Sequence, residues 1–380
     1  MALEQFTTLL DHLRRIPDPR GEQGRQFVWW HLLLIACWGL LCGQKVVRGI
    51  FEWAQEHAAM LQEALAGELP RIPSESTLRR ALRYVDIAQL EAQVAAFGEE
   101  QAQMLAGEPT TAWEGQAVDG KDLRGANQHG AETHLVSLVQ HGSGIVLAQH
   151  PVPAKSNEIK AVPALLAGRD LRGVVITSDA LLTQRPLAQQ ILNQGGHYLM
   201  VVKRNQPDLY DDLQTLFAAP HQGSGDDRLS FTSHGKEHGR WETRTLTSSE
   251  QLRDYLDWPG GQQVAQRVCQ RQRYPWAPAT SETTYAVTSL SRAQASPEQL
   301  EILWRGHWSI ENRNHYVRDE SLGEDRCQVF AGHAALALAA LRSGILSLIR
   351  PQAWRCVPQA LRYYAAHPEQ AFSVLGLPFS

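Results

Sequence analysis

Cysteine is scarce and unpatterned in this 380-residue chain. Cys37, Cys42, Cys269, Cys327 and Cys356 are odd in number, scattered, and free of any Cys-x-x-Cys pair. That excludes a disulfide framework and a zinc knuckle, and points to a reducing cytoplasm. A basic excess is missing too: the formal net charge is −4 and the sequence pI about 6.4. That argues against a chain coated in nucleic acid without excluding one, because binding depends on where Lys and Arg cluster and fields are screened beyond about 10 Å at moderate salt. The opening MALEQFTTLLDHLRR lacks the basic-then-apolar order of a secretory leader. The one membrane-like run, FVWWHLLLIACWGLLCG at 27–43, has 17 residues with His31 inside. It falls at or below spanning length and reads as a buried helix. There is no internal repeat and no low-complexity tract.

What is present is an ordinary globular composition, 43% hydrophobic and 20% charged, over a length sufficient for two or three domains. Residues 1–105 read as helix throughout. IPDPRGEQGR breaks the pattern with two prolines and two glycines amid Arg14, Arg15, Arg20 and Arg25. The buried helix 27–41 follows, then a helix over about 46–65. SESTLRRALRYVD begins a further helix, capped by Ser74 or Ser76, with Arg79, Arg80 and Arg83 near its start. A short helix, a turn and a basic-headed helix is the build of a helix-turn-helix DNA reader. A helical packing domain with a solvated basic face fits the same residues.

After residue 107 the pattern changes. Residues 111–118 form a short strand ending on Asp119, and 134–140 with 145–151 form a hairpin about His141-Gly-Ser-Gly. A helix runs from Asn157 to Gly168. Val174-Val-Ile-Thr-Ser is a continuous apolar strand ending on Asp179, and helix 185–192, strand 198–203 and helix 208–217 follow. Three strands in a meander followed by alternation of strand and helix predict a mixed α/β sheet with helices on its faces and function at its strand ends. A β-rich block at about 223–291 carries Arg240, Arg244, Arg267, Arg271 and Arg273, which suits either a DNA backbone or an exposed edge. Residues 333–349 read as an amphipathic helix closed by Pro351.

Between that block and the last helices lies RGHWSIENRNHYVRDESLGEDR, 305–326. At about 100° per residue, Trp304, His307, Trp308, Glu311, His315 and Arg318 fall within about 60° of the Glu311 direction. A face of aromatics, imidazoles, a carboxylate and a guanidinium is unlike the aliphatic stripe of a core helix, although an exposed, salt-bridge-laced helix shows it too. Asp119, Asp179 and Glu311 together make an all-oxygen set that suits a hard ion such as Mg²⁺. Singly, a strand-end Asp is more often a turn or cap residue.

The order of these carboxylates resembles the ribonuclease-H-like core of DDE transposases and integrases. The local sequences resemble the H-repeat-associated, ISAs-type insertion-sequence transposases, within an IS transposase superfamily that carries a β-insertion before its glutamate. The matching stretches are IPDPRG at 16–21, AVDGKDLRGA at 117–126, KSNEI at 155–159, SDALLTQ at 178–184, YLMVVKRNQP at 198–207, HGRWETR at 238–244, and HWSIENRNHYVRDE with EDR within 307–326. The resemblance implies a helical, DNA-binding domain at 1–105, a catalytic domain at 111–350 and a helical tail at 351–380. It implies that Asp119, Asp179 and Glu311 are the catalytic triad holding two Mg²⁺, for which Mn²⁺ can substitute. It further implies phosphate-contacting or supporting roles for Lys121, Lys155, Lys203 and Arg318, and orientation or DNA contact by His307 and His315 rather than ligation. The activity implied is cleavage and joining of DNA at the element's terminal inverted repeats and its target, by a homodimer in a bacterial-type cytoplasm or nucleoid. A catalytically silent DNA-binding descendant and a stand-alone metal-dependent nuclease are the alternatives. The chain departs from the superfamily signature at Trp304 and His307, which replace Tyr and Arg, and Leu182 stands where many close relatives have His.

Overall fold

The stretch richest in apolar residues, WWHLLLIACWGLL, becomes the helix α2 (Trp29–Leu41), of which only Trp30 is not buried. A helix apolar on every side has no solvent face to offer and must sit inside a shell of other elements. The fold, a computed structural model, describes residues 7–23, 25–105, 113–127, 133–152, 157–220, 226–237, 239–274 and 276–377. It divides into two compact units, one of residues 1–107, 120–161 and 309–380 and another of 108–119 and 162–308.

In the first unit, α1 (Leu9–Arg14) opens on a capping box in which Thr8 and Asp11 satisfy each other's backbone amides. After α2 come α3 (Val47–Glu56), α4 (Ala58–Ala64), α5 (Glu75–Tyr84) and α6 (Ile87–Leu105). The helix expected over 46–65 is thus two. The break falls at His57, whose Nδ1 lies 3.0 Å from the Trp53 carbonyl oxygen and whose ring stacks on Trp53 at 4.0 Å. Ser74, not Ser76, caps α5. Residues 65–74 separate α4 from α5, far more than the turn of about 3–4 residues in a helix-turn-helix. The predicted DNA-reader geometry is therefore not formed by these two helices.

Helix α12 (Ala334–Ile349) is buried at all but Ala335 and Leu336, so the amphipathic reading of 333–349 gives way to an all-round core helix packed on α2, α5 and α6. Two last helices, α13 (Val357–Ala366) and α14 (Pro368–Leu375), close over α2. Trp38 of α2 stacks on Phe372 at 4.5 Å and donates its indole N–H to the Pro368 carbonyl at 3.1 Å. The hairpin of β2 (His134–Gln140) and β3 (Val146–Val152) also belongs to this unit, as does the short α7 (Arg124–Asn127).

The second unit is built on strands. β4 (Val174–Ser178) is buried at every position, as expected of a parallel strand covered on both faces. It pairs in parallel with β1 (Glu114–Asp122) and with β5 (His197–Val202). The helices α8 (Glu158–Leu166), α9 (Arg185–Asn193) and α10 (Pro207–Ala218) alternate with these strands. The β-rich block is the antiparallel meander β6 (Leu229–Glu237), β7 (Arg240–Ser249), β8 (Gln263–Gln272) and β9 (Thr280–Thr288). It is not a separate sheet, because β9 pairs antiparallel with β5. The nine strands run in the order β3-β2-β1-β4-β5-β9-β8-β7-β6. Helix α11 (Pro297–His307) packs on β4, β5, β6 and β7 over a core that includes Val175, Leu199, Ala286 and Trp304. Among the described residues no helix is long and apolar enough to cross a membrane.

Candidate metal centre

The two aspartates come together through strand register. β1 and β4 match residue for residue from Glu114↔Val174 to Val118↔Ser178. Asp119 and Asp179 are the next residues on each, half-buried at the carboxyl ends of neighbouring parallel strands roughly 4.8 Å apart. Asp179 also does what a strand-end aspartate ordinarily does. Its Oδ1 accepts the Leu182 amide at 3.1 Å, and its carbonyl accepts the Thr183 hydroxyl at 3.0 Å. Leu182 is wholly buried in that turn.

The helical face predicted around Glu311 is not one α-helix. α11 starts on a capping box of Ser296 and Gln299 and ends at His307, and the winding then widens. Ile310–His315 and Val317–Ser321 are π-helical, a form found mostly as short insertions and frequently at functional sites. The α periodicity therefore fails beyond Trp308. Trp304 is buried in the second unit's core, Trp308 is exposed, and His307 Nδ1 lies 3.2 Å from the Thr177 hydroxyl of β4.

On the π-helical stretch, Glu311 is exposed and His315 is buried, with His315 Nδ1 3.2 Å from Glu311 Oε2. That hydrogen bond holds the Glu311 carboxyl below its usual range; partial burial opposes it, and the charges of His315, Lys121 and Arg124 add to it. For His315 burial dominates: it pushes the imidazole down despite the carboxylate, with Arg318 and Lys121 adding to the effect. The hydrogen bond from this ring orients the Glu311 carboxylate.

The Glu311 carboxylate and the His315 imidazole fit a divalent cation in charge and in donor type, and the nitrogen makes them less exclusive for Mg²⁺ than carboxylates alone, because it favours the transition metal.

The supporting residues separate into three kinds. Lys121, two residues past Asp119, is buried and its ammonium lies 2.6 and 2.7 Å from the two carboxylate oxygens of Asp319. Arg318 is wholly buried: it donates to Glu324 at 2.9 and 3.2 Å and to the Gln149 side-chain oxygen at 3.0 Å, and Arg342 stands 3.5 Å from the same glutamate. An arginine so placed offers no surface to a phosphate. The exposed group comprises Lys203 directly after β5 and, on α5, Arg79, Arg80 and Arg83. Arg79 pairs with Glu75 at 2.6 Å, and the Arg83 guanidinium lies 5.2 Å from the Tyr84 ring. Lys155 falls outside the described residues.

Of the strand arginines, Arg244 and Arg267 are buried rather than arrayed for a DNA backbone. Arg244 pairs with Glu242, and Arg267 with Glu301 at 3.0 Å while facing Trp304. Asp319 escaped the sequence reading, although Glu311, His315 and Asp319 recur every four residues.

The chain belongs to the transposase DDE domain family, whose model matches residues 106–348. A second model, DDE_Tnp_1-associated, matches residues 10–98. The chain is 28% identical to YncI of Escherichia coli O157:H7, a protein named as a transposase, over 90% of this chain and 87% of that one. It is 26% identical to YhhI of Escherichia coli K12, named as an H repeat-associated transposase, over 91% of each. The resemblance to H-repeat-associated transposases read from the motifs is thereby borne out. Among solved structures, a piggyBac transposase synaptic complex with hairpin DNA covers 95% of this chain and 77% of that one at 11% identity and a TM-score of 0.41, a likeness too slight to carry an argument.

Proposed function

We propose that the chain is a metal-dependent DNA strand transferase that binds the terminal inverted repeats of an insertion sequence, cleaves there, and joins the freed ends to target DNA. The observation that carries this is the strand register that sets Asp119 beside Asp179 at the carboxyl ends of β1 and β4, in a chain whose Glu311 carboxylate is hydrogen-bonded to His315. The strand order β3-β2-β1-β4-β5, parallel from β1 through β5 and antiparallel in the β2–β3 hairpin, supports a ribonuclease-H-like core. On this reading residues 111–350 form the catalytic domain, with β6–β9 as its β-rich extension, residues 1–105 contact DNA, and 351–380 brace them.

Asp119 and Glu311 would hold the cation, with Asp179 completing the carboxylate set through the oxygen that does not cap the Leu182 turn. When bound, divalent ions (two Mg²⁺, or Mn²⁺ in their place) supply Lewis-acid activation of the phosphate and of the attacking hydroxyl. His315 keeps the Glu311 carboxylate aimed and ionised, and no covalent protein intermediate is required. Holding two ends at once calls for a homodimer on DNA. Lys203 and the α5 arginines, being exposed, are the groups that meet phosphates. A cytoplasmic, nucleoid-associated location follows from a DNA substrate.

The test is cleavage and joining of labelled element-end DNA in Mg²⁺ by the wild type and by Glu311→Gln. The near-isosteric change is expected to retain DNA binding and to lose both reactions by at least about a hundredfold, the scale of removing a group that acts on the developing charge. Cleavage without joined products would instead favour a nuclease, and equal binding with no reaction by either protein would leave a DNA-binding protein.

A further inference from the structure

We propose that Arg313 and Arg350 form an anion site that takes a phosphate group. Both belong to the first unit, Arg313 on the π-helical stretch Ile310–His315 and Arg350 directly after α12. The buried arginines Arg244, Arg267, Arg318 and Arg342 each have a carboxylate partner. Among the described residues, Arg313 and Arg350 bond only to backbone. Arg313 donates to the Gly142 carbonyl in the turn between β2 and β3, and Arg350 donates to the carbonyl of Arg313 itself. A peptide carbonyl accepts a hydrogen bond but brings no counter-charge. The end of α12 supplies only about half a negative charge against two positive ones.

The deficit is of charge and of acceptors. Arg350 is half-buried, and its Nε is closed off from solvent without a hydrogen-bond partner. Burial, and after it the like charge of Arg313, push this guanidinium down to about 10, as expected of a cation that lacks a counter-charge. Arg313 is exposed and gives access from solvent. Its side chain is also held before any ligand arrives: the hairpin turn closes on it at Gly144, φ +72°, where a Cβ would stand 2.6 Å from the Arg313 Cβ. Arg350 in turn holds the Arg313 backbone through its carbonyl. A phosphate meets both deficits, since it brings negative charge and oxygens that match guanidinium forks bidentately. The backbone of a bound DNA and free inorganic phosphate both carry that chemistry. The site stands on these contacts and not on the activity proposed above.

The experiment is thermal melting of the full chain in inorganic phosphate and in chloride at equal ionic strength, followed by duplex DNA binding across a salt series. The proteins are the wild type, Arg313→Gln, Arg350→Met and a control, Arg48→Gln, which alters an exposed pair with Glu52. Phosphate also stabilises proteins by exclusion from their surface, and that part is common to all four. The site adds a further rise, on the order of a few degrees at ten times the dissociation constant, in the wild type and the control. Each arginine variant is expected to lose that addition, and either one serves if the other does not fold. If DNA supplies the phosphate, each variant also lowers the slope of log affinity against log salt by about 1. A slope that stays unchanged while the rise is lost assigns the site to free phosphate. Equal rises in all four proteins with an unchanged slope overturn the proposal.

Discussion

Buried side chains that titrate are where single residues govern the behaviour of the chain. Glu91 of α6 lines a small cavity with Val94, Val146, Ala340 and Ser343, and burial pushes its carboxyl up to about 8, with the Gln149 side chain and the Arg318 charge pulling the other way. Its folded value thus lies above the ordinary 4.5, so between those limits the folded protein binds more protons than the unfolded chain. Stability is therefore fully present below about pH 4.5 and is lost as pH rises towards 8. The expected span is on the order of a few kcal/mol, because each tenfold change in proton affinity is worth about 1.4 kcal/mol. Glu91→Gln is expected to flatten this slope in melting temperatures followed from pH 5 to 9; parallel curves for the two proteins would contradict the assignment. Glycines in AVDGKDLRGA also acquire a reason at this scale. A Cβ on Gly125 would stand 2.5 Å from the Cys327 carbonyl oxygen, and one on Gly120 would overlap the Glu158 carboxylate.

Among the elements, legibility followed period and burial. The strands ending on Asp119 and Asp179 could be read because a short apolar run closed by an aspartate suits a buried strand better than a helix, and helices α2, α9 and α10 because their limits carry Pro, Gly or polar breaks. The turn at Glu311 could not be read. Its residues fit a 3.6-residue period as well as any helix does, and π winding leaves no compositional mark. Arg318 was misplaced for a related reason: a lone arginine reads as solvated unless its partners are known. Here they come from a later turn (Glu324), from β3 (Gln149) and from α12 (Arg342). Burial opposes the charge on Glu324, and the two arginines outweigh it and hold its carboxyl below its usual range. Glu324→Gln leaves two guanidiniums buried without a counter-charge and is expected to cost about 3–5 kcal/mol in denaturant unfolding. A loss under about 1 kcal/mol would mean that water reaches the cluster.

Taken whole, the chain keeps many of its cations for internal use. Arg244, Arg267, Arg318 and Arg342 are buried in ion pairs, whereas Lys203 and the α5 arginines are among the cations left exposed. On the proposed function the chemistry depends on carboxylates that need a cation to approach a phosphate at all. The most direct measurement of that dependence is strand joining by Asp119→Cys in Mg²⁺ and in Mn²⁺, because a thiolate is a poor ligand for the harder ion and a better one for the softer. The account predicts no joining in Mg²⁺ and substantial recovery in Mn²⁺. Full joining by this variant in Mg²⁺, or wild-type joining that persists in excess chelator, would contradict it.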